Sequence, residues 1–201
     1  MNLKIYFGGL TLTIENNDGV FPFIRGETID LVTTNPKWAN LTCRWMNDPE
    51  VRHYSRNEWP ISIEEIKKWF EPSSSENIKD FVVFIIYHKK DNRPIGNVGL
   101  NRIDWINRNA NIFWSIGEKE YWGRGIAPEA SKLLIKYGFT ELNLHKISAR
   151  IFTPNKQSLR LAEKIGFEKE ALLKEDLYVD GKYVDTHIFT LLKKGWMEEN
   201  K

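Results

Sequence analysis

The chain has 201 residues, of which 41% are hydrophobic and 28% charged, and its formal net charge is +2. That length suits one domain with a single core, and the near-neutral charge gives no electrostatic basis for binding nucleic acid. Cys43 is the only cysteine, which excludes an intrachain disulfide framework and fits a reducing cytoplasm. We expect no metal site. The longest apolar run, Phe81 to Tyr87, is too short to span a bilayer, and no secretory signal or membrane contact is expected.

The N-terminal segment predicts a small β-hairpin. Apolar residues alternate over residues 3–7 and 10–14, with Gly8-Gly9 between them and the turn signal Asn17-Asp18-Gly19 after them. We therefore expect residues 1–26 to form a hairpin extension in front of the main domain, which is expected to span residues 27–196.

The first half of the main domain predicts a strand, two helices and three further strands. Ser62 opens the second helix, with Glu64 and Glu65 in its first turn, where the helix dipole favours acidic residues. A loop follows at Pro72-Ser73-Ser74-Ser75. In chain order the predicted elements are a strand at 27–33, helices at 36–47 and 62–70, and strands at 81–87, 94–103 and 110–116. The continuous apolar run at 81–87 indicates a strand covered on both faces, and the last three strands predict an antiparallel meander.

The second half of the domain returns to helical spacing. Predicted in order are a helix at 127–137, a strand at 147–151, a helix at 158–165, and two closing strands that flank Asp180-Gly181, a strong hairpin turn. This mixture of elements indicates an α+β or mixed α/β fold.

The turn at Tyr121–Ala127 joins the third meander strand to a helix and contains two glycines, Gly123 and Gly125. Backbone N–H groups at a helix start have no internal partner, and the helix dipole adds partial positive charge, so the turn suits an anion such as a pyrophosphate. Pro128 stands where the dinucleotide fingerprint needs its third glycine, and the Gly-Lys-Ser/Thr of a P-loop is absent. The turn alone leaves two interpretations open, an anion site and a tight connection without a ligand.

This turn resembles the signature of the GNAT acetyltransferase superfamily, Gln/Arg-x-x-Gly-x-Gly/Ala, with Gly125 and Ala127 at its last two positions. Trp122 takes the first position, a departure common in the branch of ribosomal-protein alanine N-acetyltransferases. Further similar segments are Trp45–Val51, Asn155–Ser158, Leu161–Phe167 and Asp180–Asp185, and Leu142–Ile147 is also similar to the spermidine N-acetyltransferases.

The resemblance implies a mixed sheet that splays between the third meander strand and the strand Lys146–Phe152, with flanking helices. It also implies acetyl-CoA as co-substrate, with its pantetheine arm in the gap, paired with Phe113, Trp114, Ser115 and Ile116. The pyrophosphate would be held by the turn of Trp122, Gly123, Arg124, Gly125, Ile126 and Ala127. Asn155 would bind the pantetheine, cap the following helix, or do both, and Ser158 is also expected to contact the cofactor.

The catalytic groups implied by the resemblance are incomplete in this chain. Many family members place a tyrosine acid where this chain has Ala162, and the ribosomal branch uses a serine that matches Ser158. The position of that branch's glutamate base is Asn111, which cannot act as a base. Tyr178, close to the closing hairpin, is a substitute candidate, and an ordinary strand tyrosine is the alternative interpretation.

Three functions stay open. The first is an N-acetyltransferase for a peptide N-terminal α-amine, with direct attack in a ternary complex. The second is an acetyltransferase for polyamines, amino sugars or aminoglycosides, with the acidic Asp48 and Glu50 receiving a polycation. The third is an acetyl-CoA-binding module without turnover. We expect a monomer or homodimer in the cytoplasm, with an amine acceptor as its partner.

Overall fold

The computed structural model describes residues 3–7, 10–14, 20–71 and 79–199. Strands β1 (Leu3–Phe7) and β2 (Leu10–Ile14) form an antiparallel pair, with Leu3 opposite Ile14, which confirms the predicted hairpin. The predicted turn residues Gly8-Gly9 and Asn17-Asp18-Gly19 and the predicted loop Pro72-Ser73-Ser74-Ser75 lie outside the described residues.

The remaining described strands form one sheet in the order β3-β4-β5-β6-β7-β8-β10-β9. Their bounds are β3 Pro22–Arg25, β4 Ile29–Thr33, β5 Val82–His88, β6 Arg93–Asp104, β7 Asn109–Ile116, β8 Lys146–Phe152, β9 Glu168–Val179 and β10 Lys182–Leu192. All neighbouring strands are antiparallel except β7 and β8, which run parallel. The predicted mixed sheet, with its antiparallel meander of β5, β6 and β7, is therefore confirmed.

The described helices flank this sheet. They are α1 Ala39–Asn47, α2 Pro49–Ser55, α3 Ile63–Phe70, α4 Ile126–Thr140, α5 Lys156–Lys164 and α6 Lys193–Glu199, with single 3₁₀ turns at Pro36–Trp38 and Lys119–Tyr121. The predicted start at Ser62 is confirmed by a capping box, in which the Ser62 hydroxyl accepts from the Glu65 amide and Glu65 accepts from the Ser62 amide.

Three elements are absent from the sequence-based prediction. The predicted helix end at Asn47-Asp48-Pro49 is confirmed by α1, and a second helix, α2, starts at the same point because Asp48 Oδ1 accepts hydrogen bonds from the amides of Glu50 (2.9 Å) and Val51 (3.1 Å). Helix α6 begins at Lys193, directly after β10 ends at Leu192. Strand β3 pairs with β4 although it lies within the predicted extension 1–26, and the boundary between extension and domain stays a prediction.

Two apolar clusters cover opposite faces of the sheet. The larger includes Phe84 and Ile86 and packs against α4, whose Leu134 is fully buried. The smaller includes Ile85, which lies between those two residues on β5, together with Trp38. Because successive strand residues point to opposite faces, this arrangement explains the continuous apolar run of β5 and confirms that both of its faces are covered.

The sheet opens between its two parallel strands. β7 and β8 pair only at Asn109 with Lys146, Ala110 with Ile147 and Asn111 with Ser148, although both strands continue for several residues. Beyond that point β7 still pairs with β6, and β8 still pairs with β10. The expected splay is therefore present, and it separates residues 112–116 from residues 149–152.

A buried carboxylate fastens α1 to the end of β7. Glu118 accepts a hydrogen bond from Trp45 Nε1 (2.7 Å) and forms ion pairs with Arg44 and, at 2.6 Å, with Arg93 Nη2. A side chain at Gly117 would collide with the Trp45 ring, so glycine permits this close approach. Burial raises the pKa of Glu118, but the Trp45 hydrogen bond and the charges of Arg44 and Arg93 outweigh it and hold the pKa below its usual value.

We predict that Glu118→Gln lowers the free energy of unfolding by about 1.5–3 kcal/mol at pH 7, the typical loss for hydrogen bonds to a buried charged group. Because the folded-state pKa is lowered, the carboxylate stabilises the fold above the unfolded-state pKa of about 4.3 and loses this effect as pH falls through the folded value. Urea unfolding from pH 7 to pH 3 measures both. Glu120→Gln is the control, since Glu120 is half exposed and contacts Arg93 at 3.4 Å. Equal losses in the two variants would contradict the prediction.

Candidate active site

Two adjoining clefts meet over the splayed part of the sheet. The larger has a volume of about 1180 Å³ and the smaller about 420 Å³. Their common wall is formed by α2, by Trp114 and Ser115 of β7, and by Asn155 and Ser158 at the start of α5. A molecule that fills both clefts must therefore pass this wall.

The smaller cleft is built on the turn before α4. Gly123 (φ +74°) and Gly125 (φ +79°) have left-handed backbones, and a side chain at either would point into open space with no heavy atom within 4 Å. Gly125 is the N-cap of α4 and has no side chain with which to cap the first-turn amides, of which Ile126 and Ala127 belong to the cleft lining. The turn therefore leaves backbone donors and free space together, which fits an anionic group such as a pyrophosphate.

Positive charge at this cleft comes from α5. Arg160 and Lys164 line the smaller cleft, whereas the Arg124 guanidinium lies 5.6 Å from the Tyr121 ring centroid and is outside the lining. The sequence-based prediction chose Arg124 and missed the other two. Their spacing of four residues, which places both on one helix face, is the signal that could have found them.

Trp122 ties the turn to the end of β7. Its Nε1 donates a hydrogen bond to the Ile116 carbonyl oxygen (2.8 Å), and its ring meets Tyr54 of α2 edge-on at 6.2 Å between centroids. The Trp122 indole, which replaces the usual Gln or Arg of the signature, thus connects the glycine turn to β7 and to α2.

Asn155 and Ser158 stand at the common wall and are linked. Asn155 Oδ1 accepts from the Ser158 amide (3.1 Å), so Asn155 does cap α5. The Ser158 hydroxyl oxygen accepts a hydrogen bond from Trp114 Nε1 (3.3 Å), which leaves the hydroxyl hydrogen for another acceptor. Asn155 is 6% exposed yet lines both clefts, so its amide nitrogen can also meet a ligand.

Two catalytic candidates, Asn111 and Tyr178, lie outside both clefts. Asn111 forms the last pair between β7 and β8 and lines neither cleft. Tyr178 is 59% exposed, has its ring 5.2 Å from that of Tyr183 across the closing hairpin, and also lines neither cleft. Its neighbour Leu177 does line the larger cleft. Both residues therefore lie outside the clefts, and their catalytic assignments stay predictions.

The acidic pair considered for a polycation is already matched. Lys119 Nζ lies 3.1 Å from Asp48 and 3.0 Å from Glu50, and neither carboxylate lines a cleft. Lys119 donates hydrogen bonds to Glu50 and Asp48, which raise the pKa of its ammonium group, so Lys119 stays charged and paired with both carboxylates at neutral pH. These ion pairs connect the start of α2 to the 3₁₀ turn Lys119–Tyr121, which precedes Gly123 and Gly125.

The larger cleft is mainly aromatic and apolar. Residues that the sequence-based prediction missed include Tyr54, which lines both clefts, and Asn97, a polar residue in the otherwise apolar centre of β6. The part of the chain that the structure describes contains no group of three His, Cys, Asp or Glu residues placed to hold a metal ion. Within the same ranges, no helix is long and apolar enough to cross a membrane.

Comparison with known proteins identifies the family. Residues 31–168 match the model of the acetyltransferase (GNAT) domain. The chain is 32% identical over 159 residues to the uncharacterized N-acetyltransferase p20 of Bacillus licheniformis, covering 79% of this chain and 89% of the relative. It is 36% identical over 109 residues to the putative ribosomal N-acetyltransferase YdaF of Bacillus subtilis, covering 54% and 59%.

The fold is also similar to that of a solved N-acetyltransferase structure. Spermidine N-acetyltransferase from Vibrio cholerae, in complex with CoA and spermine, superposes with a TM-score of 0.76 at 25% identity, covering 85% of this chain and 98% of that one. The predicted family and co-substrate are therefore confirmed, and the glycine turn, the splay and the two clefts are features of a chain that belongs to the GNAT family of acetyl-CoA-dependent N-acetyltransferases.

Proposed function

We propose that this enzyme acetylates a peptide N-terminal α-amine by direct attack on the thioester in a ternary complex. The charge of the larger cleft is the observation that carries the proposal. Among the described lining residues, Arg56, Lys79 and Arg150 face only two carboxylates, Glu71 and Asp176, and Asp176 is held by Arg150 at 2.9 Å. A polycation would need a surplus of carboxylates there, whereas a monocationic or neutral amine does not.

We further propose that acetyl-CoA lies along the path joining the clefts. The amides of Gly123 to Ala127 would hold its pyrophosphate, assisted by Arg160 and Lys164, and the open edge of Phe113–Ile116 would pair with its pantetheine. When bound, the thioester supplies an activated acetyl group. Asn155, buried and exposed to both clefts, would donate to the pantetheine while it caps α5.

Ser158 is proposed as the proton donor to the departing thiolate. Its hydroxyl oxygen accepts from Trp114, so its hydrogen does not point at the indole and can be donated to a ligand in the clefts that Ser158 lines. No carboxylate without a cationic partner lies near it among the described lining residues of the common wall. Without a strong base, an α-amine with a pKa of about 8 loses its proton more readily than a lysine at about 10.4.

The small-amine alternative is supported by the structural neighbour in complex with CoA and spermine and by the similarity of Leu142–Ile147 to the spermidine N-acetyltransferases. The hypothesis of a module without turnover loses its basis, because Ala162 is fully buried in the core and Asn111 is outside both clefts. Neither residue lines a cleft, so neither Ala162 nor Asn111 argues against turnover. The cytoplasmic location, suggested by the single Cys43, and the monomer or homodimer stay predictions.

The acceptor class is tested by thiol release with acetyl-CoA and a panel of amines. We expect a higher kcat/KM for short peptides with a free N-terminus than for spermidine or an aminoglycoside, because only the peptides lack a multiple positive charge at the amine-bearing end. N-terminally blocked peptides that carry an internal lysine are the control. A preference for spermidine over every free peptide would overturn the proposed acceptor.

The pyrophosphate position is tested at Gly125. We predict that Gly125→Val weakens acetyl-CoA binding on the order of 10- to 100-fold, as expected when one or two hydrogen bonds to a charged group are blocked. Gly181→Val is the matched control, because Gly181 has the same left-handed backbone (φ +81°) and the same open surroundings but lines neither cleft. Calorimetric titration with acetyl-CoA measures both. Equal affinity in the two variants would refute the placement.

The role of Ser158 is tested by its replacement with alanine. We predict a fall in kcat on the order of 100-fold, the size typical of losing a positioned acid, with an unchanged dissociation constant for acetyl-CoA. Ser131→Ala is the control, since Ser131 is a fully buried hydroxyl in α4 that lines neither cleft. A kcat within twofold of wild type would exclude Ser158 as the acid.

A further inference from the structure

The floor of the larger cleft contains an uncharged polar pair beside the common wall. Asn97 of β6 lies directly opposite Ser115 of β7 in the antiparallel register, and both side chains line the larger cleft. Directly opposite residues place their Cβ atoms about 4.5–5.5 Å apart, so one small group can contact both. Ser115 also lines the smaller cleft, which places the pair next to the point where the two clefts meet.

The surroundings of this pair are apolar. Trp45 of α1, Val83 and Ile85 of β5 line the same cleft, and Phe113 lies over Gly99, two residues along β6. Within the described ranges, neither Asn97 nor Ser115 has a side-chain hydrogen bond, and both are partly buried. Polar side chains in an apolar cleft are the groups that orient a ligand, because leaving them unpaired is unfavourable.

Three charged groups of the cleft are already engaged with protein partners. Asp176 is engaged by Arg150, and Arg56 donates to Glu58 (2.6 Å) and to the Tyr178 carbonyl oxygen (3.1 Å). The floor beside the common wall therefore presents a neutral amide and a hydroxyl, and no carboxylate among the described lining residues stands in the strand pair itself.

We propose that Asn97 and Ser115 bind the acceptor amine, with Asn97 Oδ1 accepting one of its N–H hydrogens beside the thioester position. This assignment rests on the proposed function and adds the residues that set its selectivity. An amide oxygen accepts a hydrogen bond without stabilising an ammonium ion as a carboxylate does. The floor thus favours an amine that reaches the site uncharged, and it discriminates against polycations.

Steady-state kinetics of Asn97→Ala test the binding role. We expect the KM for the peptide to rise about 3- to 10-fold, the equivalent of one lost hydrogen bond, while the KM for acetyl-CoA stays within twofold. Asn109→Ala is the matched control, because Asn109 is a partly buried strand asparagine of the same sheet that lines neither cleft. Asn97→Thr, which keeps a strand-forming side chain, repeats the test if the alanine variant does not fold.

Asn97→Asp tests the selectivity. A carboxylate beside the amine stabilises its ammonium form, so the rising limb of the kcat profile moves to higher pH. The ratio of kcat/KM for spermidine to that for the peptide should rise at least tenfold. If Asn97 had only a structural role, or if the variant only packed less well, the rising limb of the kcat–pH profile and the substrate selectivity would not change together.

The outcomes separate the two proposals. If wild type turns over no free peptide, the proposed acceptor fails, and the Asn97 variants are measured with whichever amine does react; a raised KM for it then still supports the floor. If wild type acetylates peptides but the peptide KM of Asn97→Ala stays within twofold of wild type, the floor assignment is overturned while the proposed function stands.

Discussion

The end of pairing between β7 and β8 is the constraint on which the site depends. After Asn111 and Ser148 the two strands separate, and each keeps its partner on the far side only. Buried backbone N–H and C=O groups need hydrogen-bond partners, so an open edge inside a sheet favours occupation by an extended ligand with amide groups. The pantetheine of acetyl-CoA is such an extended ligand with amide groups. Because β7 and β8 run parallel, the carboxyl ends of both strands lie at the same end of the sheet.

Several contacts hold the surrounding elements to β7 beyond that opening. Glu118 fastens α1 directly after the strand, Trp122 returns a hydrogen bond to the carbonyl of Ile116, and Trp114 donates to Ser158 on α5. Both clefts are therefore built against the same strand, β7. Because acetyl transfer depends on close placement of two reactants, a shared strand positions both partners by the same backbone.

Local chemistry made much of the fold predictable. Ser62, the Asp180-Gly181 turn and the apolar run of β5 each act through neighbouring residues or strand period, and each is confirmed. The helix end at Asp48-Pro49 was predicted correctly, but the start of α2 was missed because the same dipeptide both ends α1 and starts α2. Tyr178 and Asn111 could not be placed from sequence, since their positions depend on the strand register and on where the sheet opens. Those features are set by distant parts of the chain.

The fold alone does not decide the acceptor, because similar chains carry names that point to spermidine and to ribosomal substrates. What differs between acceptors is charge near the reacting nitrogen. Transfer requires the amine in its neutral form, and each carboxylate placed beside it makes that form less accessible. An enzyme for polycations must balance capture by carboxylates against this effect. In this chain Asp48 and Glu50 lie outside the clefts and are paired with Lys119, and Asp176 of the larger cleft is paired with Arg150. The cleft floor is left neutral at Asn97 and Ser115, an arrangement suited to an amine whose own pKa is low enough to need no electrostatic capture.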